Sequence, residues 1–275
     1  MKPAVLILDA TSPIGRALVQ AALEAGRPVI AVAADTAGLS MLDAAYPRAD
    51  LTTLPGEFAT DGQAIALATA LRDQGRPLAG VVVAGACEPK RGRVLDASAA
   101  TLQDVLANEF LPHQAAAHAL IPLLARDDRN GTYVVLGGPG GEHPWAGYGY
   151  RSIAAAATRM LVRVLHDEAR GLGVRVQMLA VEAPTRTDDN REQACAHWPT
   201  ALAIASRALA LIDQAPSLQP PEPIVRFTVQ PTASLPDRRA IHARKPAPPR
   251  INPSPPDDVP AALLRSFLSS DNEKA

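Results

Sequence analysis

The sequence predicts an α/β protein built on one doubly wound parallel sheet. Three observations carry that expectation. Short β-branched runs alternate with longer Ala/Leu-rich periodic runs over the first two-thirds of the chain. Residues 78–84 form an unbroken apolar run, as expected of a central parallel strand buried on both faces. Hydrophobic residues make up 47% of the 275 positions while aromatics make up 4%, so the core is large and aliphatic.

The elements follow in order. Residues 3–8 read as a strand, and 14–25 as a helix closed by Gly26. Residues 28–33 are a second strand and 39–45 a short helix; 51–54 read as a third strand. A helix over 63–74 ends at Gly75, and the 78–84 strand follows. Residues 101–125 are helical, but Pro112 and Pro122 fall inside, so a kink or a division is expected. A strand over 132–136 precedes a helix over 152–170, which Gly171 and Gly173 end. A strand over 174–181, a helix over 200–212 and a last strand over 224–229 complete the pattern. Right-handed crossovers are expected between the parallel strands.

The C-terminal part differs in composition. Half of the 26 prolines fall between Pro216 and Pro260. The chain therefore divides into a domain over 1–230 and a proline-rich tail over 231–275, with a short apolar-faced helix at 259–268. The net charge of −1 gives no electrostatic reason to expect nucleic acid or an anionic membrane as partner. Cys87 and Cys195 are far apart, in no metal-ligand spacing, and a reduced, cytoplasmic protein is expected. No metal site is expected, and a P-loop, a G-x-S-x-G elbow and a C-x-x-C pair are missing.

Several motifs together resemble one family. L-D-A-T-S-P-I-G-R-A at 8–17 is similar to the T-G-x-x-x-G-I-G turn of the short-chain dehydrogenases/reductases. V-V-V-A-G at 81–85 sits where that family has N-N-A-G, Asn108 where it keeps a catalytic asparagine, and G-L-G-V-R-V-Q at 171–177 resembles x-x-G-I-R-V-N. The resemblance covers residues 1–230. It implies a Rossmann-type fold, an NAD or NADP cofactor, hydride transfer and an oligomer formed through the helices at 101–125 and 152–170. Thr11, Ser12, Ile14, Gly15, Asp35 and Gly85 are the implied cofactor-binding positions.

Against the family pattern, key residues are replaced. A glycine-rich turn lets the backbone approach a pyrophosphate lying on a helix N-terminus. Asp9 and Pro13 stand at its first two glycine positions, leaving Gly15 for packing, and Ser12–Pro13 makes a self-sufficient helix start. Asp35 is the residue nearest the ribose-reading position and is equally suited to capping a helix. The family's serine place falls on Gly138. Without gaps, its tyrosine and lysine places fall on Arg151 and Ala155. A one-residue slip offers Tyr150 with Ala154, and a longer one Tyr148 with Ser152; no register gives Y-x-x-x-K. A lone phenol, with a pKa of about 10, is a poor acid–base group at neutral pH without a neighbouring cation.

Three functions compete. The favoured one is a structural or regulatory subunit without hydride-transfer activity, pairing with itself or with an active homologue, because the serine, lysine, two glycines and N-N pair are lost together. The second is an atypical, ketoreductase-like NAD(P)-dependent oxidoreductase using Tyr150 or Tyr148 with Asn108 and Arg151 or Arg159. The third is a non-redox enzyme or small-ligand sensor that reuses the cleft beside Gly137–Gly141, where His143 also falls.

Overall fold

Strands rich in Val, Ile and Leu pair in parallel into one seven-stranded sheet. The computed structural model describes residues 2–85, 91–96, 98–126, 131–214 and 221–228. In chain order the elements are β1 (Ala4–Leu8), α1 (Pro13–Glu24), β2 (Val29–Ala33), α2 (Thr36–Ala45), β3 (Leu51–Pro55), α3 (Asp61–Gln74) and β4 (Leu78–Val83). There follow α4 (Ala99–Glu109), α5 (Leu111–Ala125), β5 (Thr132–Gly137), α6 (Gly149–Ala169), β6 (Arg175–Ala180), α7 (Ala201–Ile212) and β7 (Ile224–Arg226). The strand order is β3-β2-β1-β4-β5-β6-β7, and every pairing is parallel.

Successive side chains of a strand point to opposite faces, and here each face meets its own core. Leu6 and Leu8 of β1 join the cluster under α3, α5 and α6. Val5 and Ile7 join the cluster under α1, α2 and α7. That is why the strands read as continuous apolar runs. The chain order reverses between β1 and β4, so a crevice opens at their C-terminal ends, where open α/β sheets bind ligands.

Local chemistry fixes the helix ends. Ser12, Asp35, Thr60 and Thr200 each cap a helix by accepting the backbone N–H three residues on. The capping Asp35 starts α2 at Thr36, three residues before the predicted start. The predicted 101–125 helix divides at Phe110, because Pro112 cannot donate to the carbonyl of residue 108. Pro122 remains inside α5, on its exposed side. Arg175 of the G-V-R-V-Q motif has a structural duty: its guanidinium donates to Thr132 and to the carbonyls of Leu211, Ile212 and Gln214 at the end of α7.

The described residues all fall in the unit 1–229. The predicted proline-rich tail and its short helix at 259–268 lie outside the described residues.

Candidate functional site

The turn between β1 and α1 satisfies itself. Asp9 takes a left-handed backbone conformation (φ 56°) in place of the family's first glycine, a region that only Gly, Asn and Asp visit routinely. Its carbonyl accepts from the Ser12 N–H at 3.0 Å. Ser12 Oγ then accepts from the Gly15 N–H at 3.0 Å, and Pro13 opens the helix. Arg16 ties the turn down by donating to the Thr11 carbonyl at 2.9 Å and pairing with Asp189 at 3.0 Å. Gly15 is needed for packing, since a Cβ there would lie 2.1 Å from the Asp9 carbonyl oxygen.

A pyrophosphate needs free amides and close backbone approach at this place. Pro13 has no N–H, the Gly15 N–H is taken, and Ile14 supplies the one amide left among the first three helical residues. Side chains stand at both glycine positions. These residues do not fit the dinucleotide that the resemblance implies. Asp35 accepts from Gly38 N at 3.0 Å as the cap of α2, with Thr11 beside them. Gly85, with φ of +62°, ends the strand β4 on the cleft wall.

The start of α6 turns Tyr148, Tyr150 and Arg151 in different directions. Adjacent helical residues point about 100° apart. Tyr150 faces α4, is 3% exposed, packs with Val105 and Ala154, and donates its hydroxyl to the Arg93 carbonyl at 3.2 Å. Tyr148 lies just before the helix, stacked on Trp145 with ring centroids 4.1 Å apart, and its hydroxyl accepts from Arg91 Nε at 2.6 Å. Neither tyrosine lines the cleft. Arg151 and Ala155 do, together with Gly138, the residues that the ungapped register names.

The cleft holds about 350 Å³. Arg151 forms one of its walls, 3.5 Å from the Glu109 carboxylate, and its Nε is buried without a partner. A Cβ on Gly138 would lie 2.9 Å from Arg151 Nη2, so the missing side chain at the serine place makes room for the guanidinium. Burial pushes the Glu109 carboxyl above its ordinary value, and Arg151 offsets only part of that. His113 sits at the cleft with Nδ1 buried and unpartnered; burial lowers its pKa to about 4 and keeps it neutral. Asn108 borders the same space but donates to the Asp104 carbonyl at 2.7 Å, steadying the end of α4. Arg159 is held at 3.1 Å by both Glu142 and Glu182, and Glu142 also pairs with Arg226. A smaller compartment of about 160 Å³, lined by Ile14, Trp145, Pro184 and Thr185, shares Arg151 and Gly138 with the first.

The structure thus brings Asn108, Arg151 and Gly85 to one cleft, and keeps Tyr148, Tyr150, Thr11, Ser12 and Asp35 off it. His143 is exposed and takes no part. Glu109 and His113 belong to the cleft and were not singled out by the sequence, although each neighbours a residue that was: Asn108 and Pro112. Among the described residues, no three His, Cys, Asp or Glu are placed to hold a metal ion. Nor is any helix among them long and apolar enough to cross a membrane.

A doubly wound sheet with its crevice between β1 and β4 defines a Rossmann-type fold. The chain belongs to the short-chain dehydrogenase/reductase family: residues 10–206 match a family model described as enoyl-(acyl carrier protein) reductase. A short-chain dehydrogenase from Streptomyces avermitilis is similar at 22% identity, over 83% of this chain and 89% of its own, with a TM-score of 0.68. A short-chain oxidoreductase from Pseudomonas aeruginosa PAO1, described as containing an atypical catalytic center, is 20% identical in its apo form over 76% and 89%, with a TM-score of 0.67. Its NADPH-bound structure superimposes with a TM-score of 0.66 at 22% identity, over 76% of this chain and 89% of its own. A search of curated proteins returns no match.

Proposed function

We propose that this chain is a family member that does not transfer hydride by the family's serine–tyrosine–lysine set, and that it acts as a structural or regulatory subunit. One observation carries the reading. The residues facing the cleft at those three places are Gly138, Arg151 and Ala155. None of the three is a proton donor tuned to neutral pH, since an arginine stays protonated. The self-capped turn at Asp9–Gly15 supports the same reading from the nucleotide side.

Pairing is supported by an apolar strip on α6. Ile153, Met160 and Val164 are 38%, 55% and 44% exposed, and their spacing puts them on one face. Leu111 of α5 is 46% exposed. A second copy or an active homologue would cover this strip. Light scattering should then find an oligomer, and Met160→Glu with Val164→Glu should shift it toward monomer.

The functional test is fluorescence titration with NADH and NADPH, with ketone reduction followed in parallel. No saturable binding below millimolar nucleotide and no turnover are expected. Micromolar binding with turnover overturns the proposal. A second reading, an atypical NAD(P)-dependent oxidoreductase, is favoured by the Pseudomonas aeruginosa oxidoreductase, whose altered centre is described together with bound NADPH. Binding with turnover lost on Arg151→Met would select that reading.

A further inference from the structure

Two arginines of α6 border the same cleft in different states. Arg159 receives two carboxylates at 3.1 Å each. Arg151 has Glu109 at 3.5 Å, no hydrogen bond among the described residues, and a buried Nε without a partner. A guanidinium carries five N–H donors in a fixed fork. A buried donor left unmade carries a desolvation cost that nothing recovers. His113 adds a second orphan in the cleft, a neutral imidazole with a buried, unpartnered Nδ1. The rest of the Arg151 guanidinium is partly exposed on the wall of a space of about 350 Å³, with its other N–H groups unbonded among the described residues, so an occupant that supplies acceptors would meet donors there.

Charge selects the class of occupant. The guanidinium fork matches a carboxylate bidentately. Asp9, Glu57 and Glu109 also line the cleft, so a doubly charged phosphate would meet several like charges. A single carboxylate brings less charge against the same acids, and an N–H or O–H on the ligand directed at the acceptors Glu109 and His113 turns part of that repulsion into hydrogen bonding. Phe58, Pro112, Leu136 and Met178 supply the apolar lining for a short carbon chain.

We propose that this cleft binds a small monocarboxylate bearing an amino or hydroxyl group on the neighbouring carbon, with its carboxylate on Arg151 and its donor on Glu109 or His113. The site goes beyond the subunit reading and requires no nucleotide. Its assay contains none, so failure of one reading is seen separately from failure of the other.

The experiment is calorimetric titration of the full chain with L-alanine and L-lactate, against propionate and inorganic phosphate. Saturable one-to-one binding is expected for L-alanine or L-lactate. Propionate, lacking the second donor, should bind about tenfold more weakly, the loss of one ordinary hydrogen bond. Phosphate should not bind. Arg151→Met should weaken binding about 10- to 100-fold, as loss of a charged hydrogen-bond pair does. Gly138→Ser is the second variant, read by the same titration even where Arg151→Met fails to fold. Its Cβ must push the flexible end of Arg151 aside, and it should weaken binding while keeping the thermal midpoint. Failure of both acids to bind the unaltered chain overturns the proposal. So does unchanged affinity in both variants, or a preference for phosphate.

Discussion

The β1–α1 turn and the cleft beside α6 both carry residues unlike the family pattern, and they differ in how those residues are satisfied. In the turn the replacements satisfy one another: Asp9 makes the bend, Ser12 caps Gly15, and Pro13 removes a donor that would otherwise need a partner. At the cleft, polar groups are left over: Arg151 Nε of α6, at the family's tyrosine place, and His113 Nδ1 of α5 are buried without a partner. On the proposed reading, the self-capped turn has given up its nucleotide, and the cleft takes a different ligand. Family membership is common to both regions and does not by itself say which happened where.

That contrast can be broken or sharpened by substitution. The largest effect belongs to Gly15→Val, whose Cβ would meet backbone at 2.1 Å. It should cost at least about 3 kcal/mol or prevent folding, read by chemical denaturation. Next comes the pair of arginines. Arg159→Met removes a buried guanidinium and its two charge-assisted hydrogen bonds to Glu142 and Glu182, and should cost about 1–3 kcal/mol, although Glu142 keeps Arg226 as a partner. Arg151→Met removes a guanidinium that makes no hydrogen bond among the described residues, facing a buried Glu109 carboxyl that can take up a proton instead, and should cost less, about 1 kcal/mol, by the same measurement. Equal losses would erase the distinction between a structural and a ligand-directed arginine.

The third effect is a pH dependence. His113 is lowered from 6.5 to about 4, so below pH 6.5 the unfolded chain takes up the proton first. Stability should fall by up to about 3 kcal/mol as the pH drops from 6.5 toward 4. Glu109, raised by burial, acts in the other sense and loses stability as the pH rises through its folded value. His113→Phe should flatten the acid limb alone, and an unchanged limb would show that the ring is solvated. The smallest effect is Ser12→Ala, expected to cost about 1 kcal/mol as the loss of one helix cap.

The sheet was legible because its strands are buried on both faces and read as apolar runs, and because Gly26, Gly75 and Pro112 mark real boundaries. Helix starts were read late by two or three residues at α2, α3, α4 and α6, because the apolar periodicity begins inside the first turn. The helix α6 begins at Gly149 rather than 152, since no side chain caps it. The turn was legible for the same reason that it closes: Ser12 and Pro13 are adjacent, and their chemistry is local. The cleft was not. Tyr150 and Arg151 differ by one position, and only the packing of Tyr150 against Val105 decides which faces the crevice. Glu109 and Arg151 lie on different helices, α4 and α6, and sequence spacing says nothing about a contact between them.

The self-capped turn is the feature most directly open to test. Calorimetric titration with NADPH and NADH should be run on the unaltered chain and on the Asp9→Gly/Pro13→Gly double variant, which reopens backbone approach at both glycine positions. The expected result is no saturable heat below millimolar nucleotide for the unaltered chain, with binding gained in the variant. Micromolar binding by the unaltered chain, undiminished or stronger than in the variant, would contradict it.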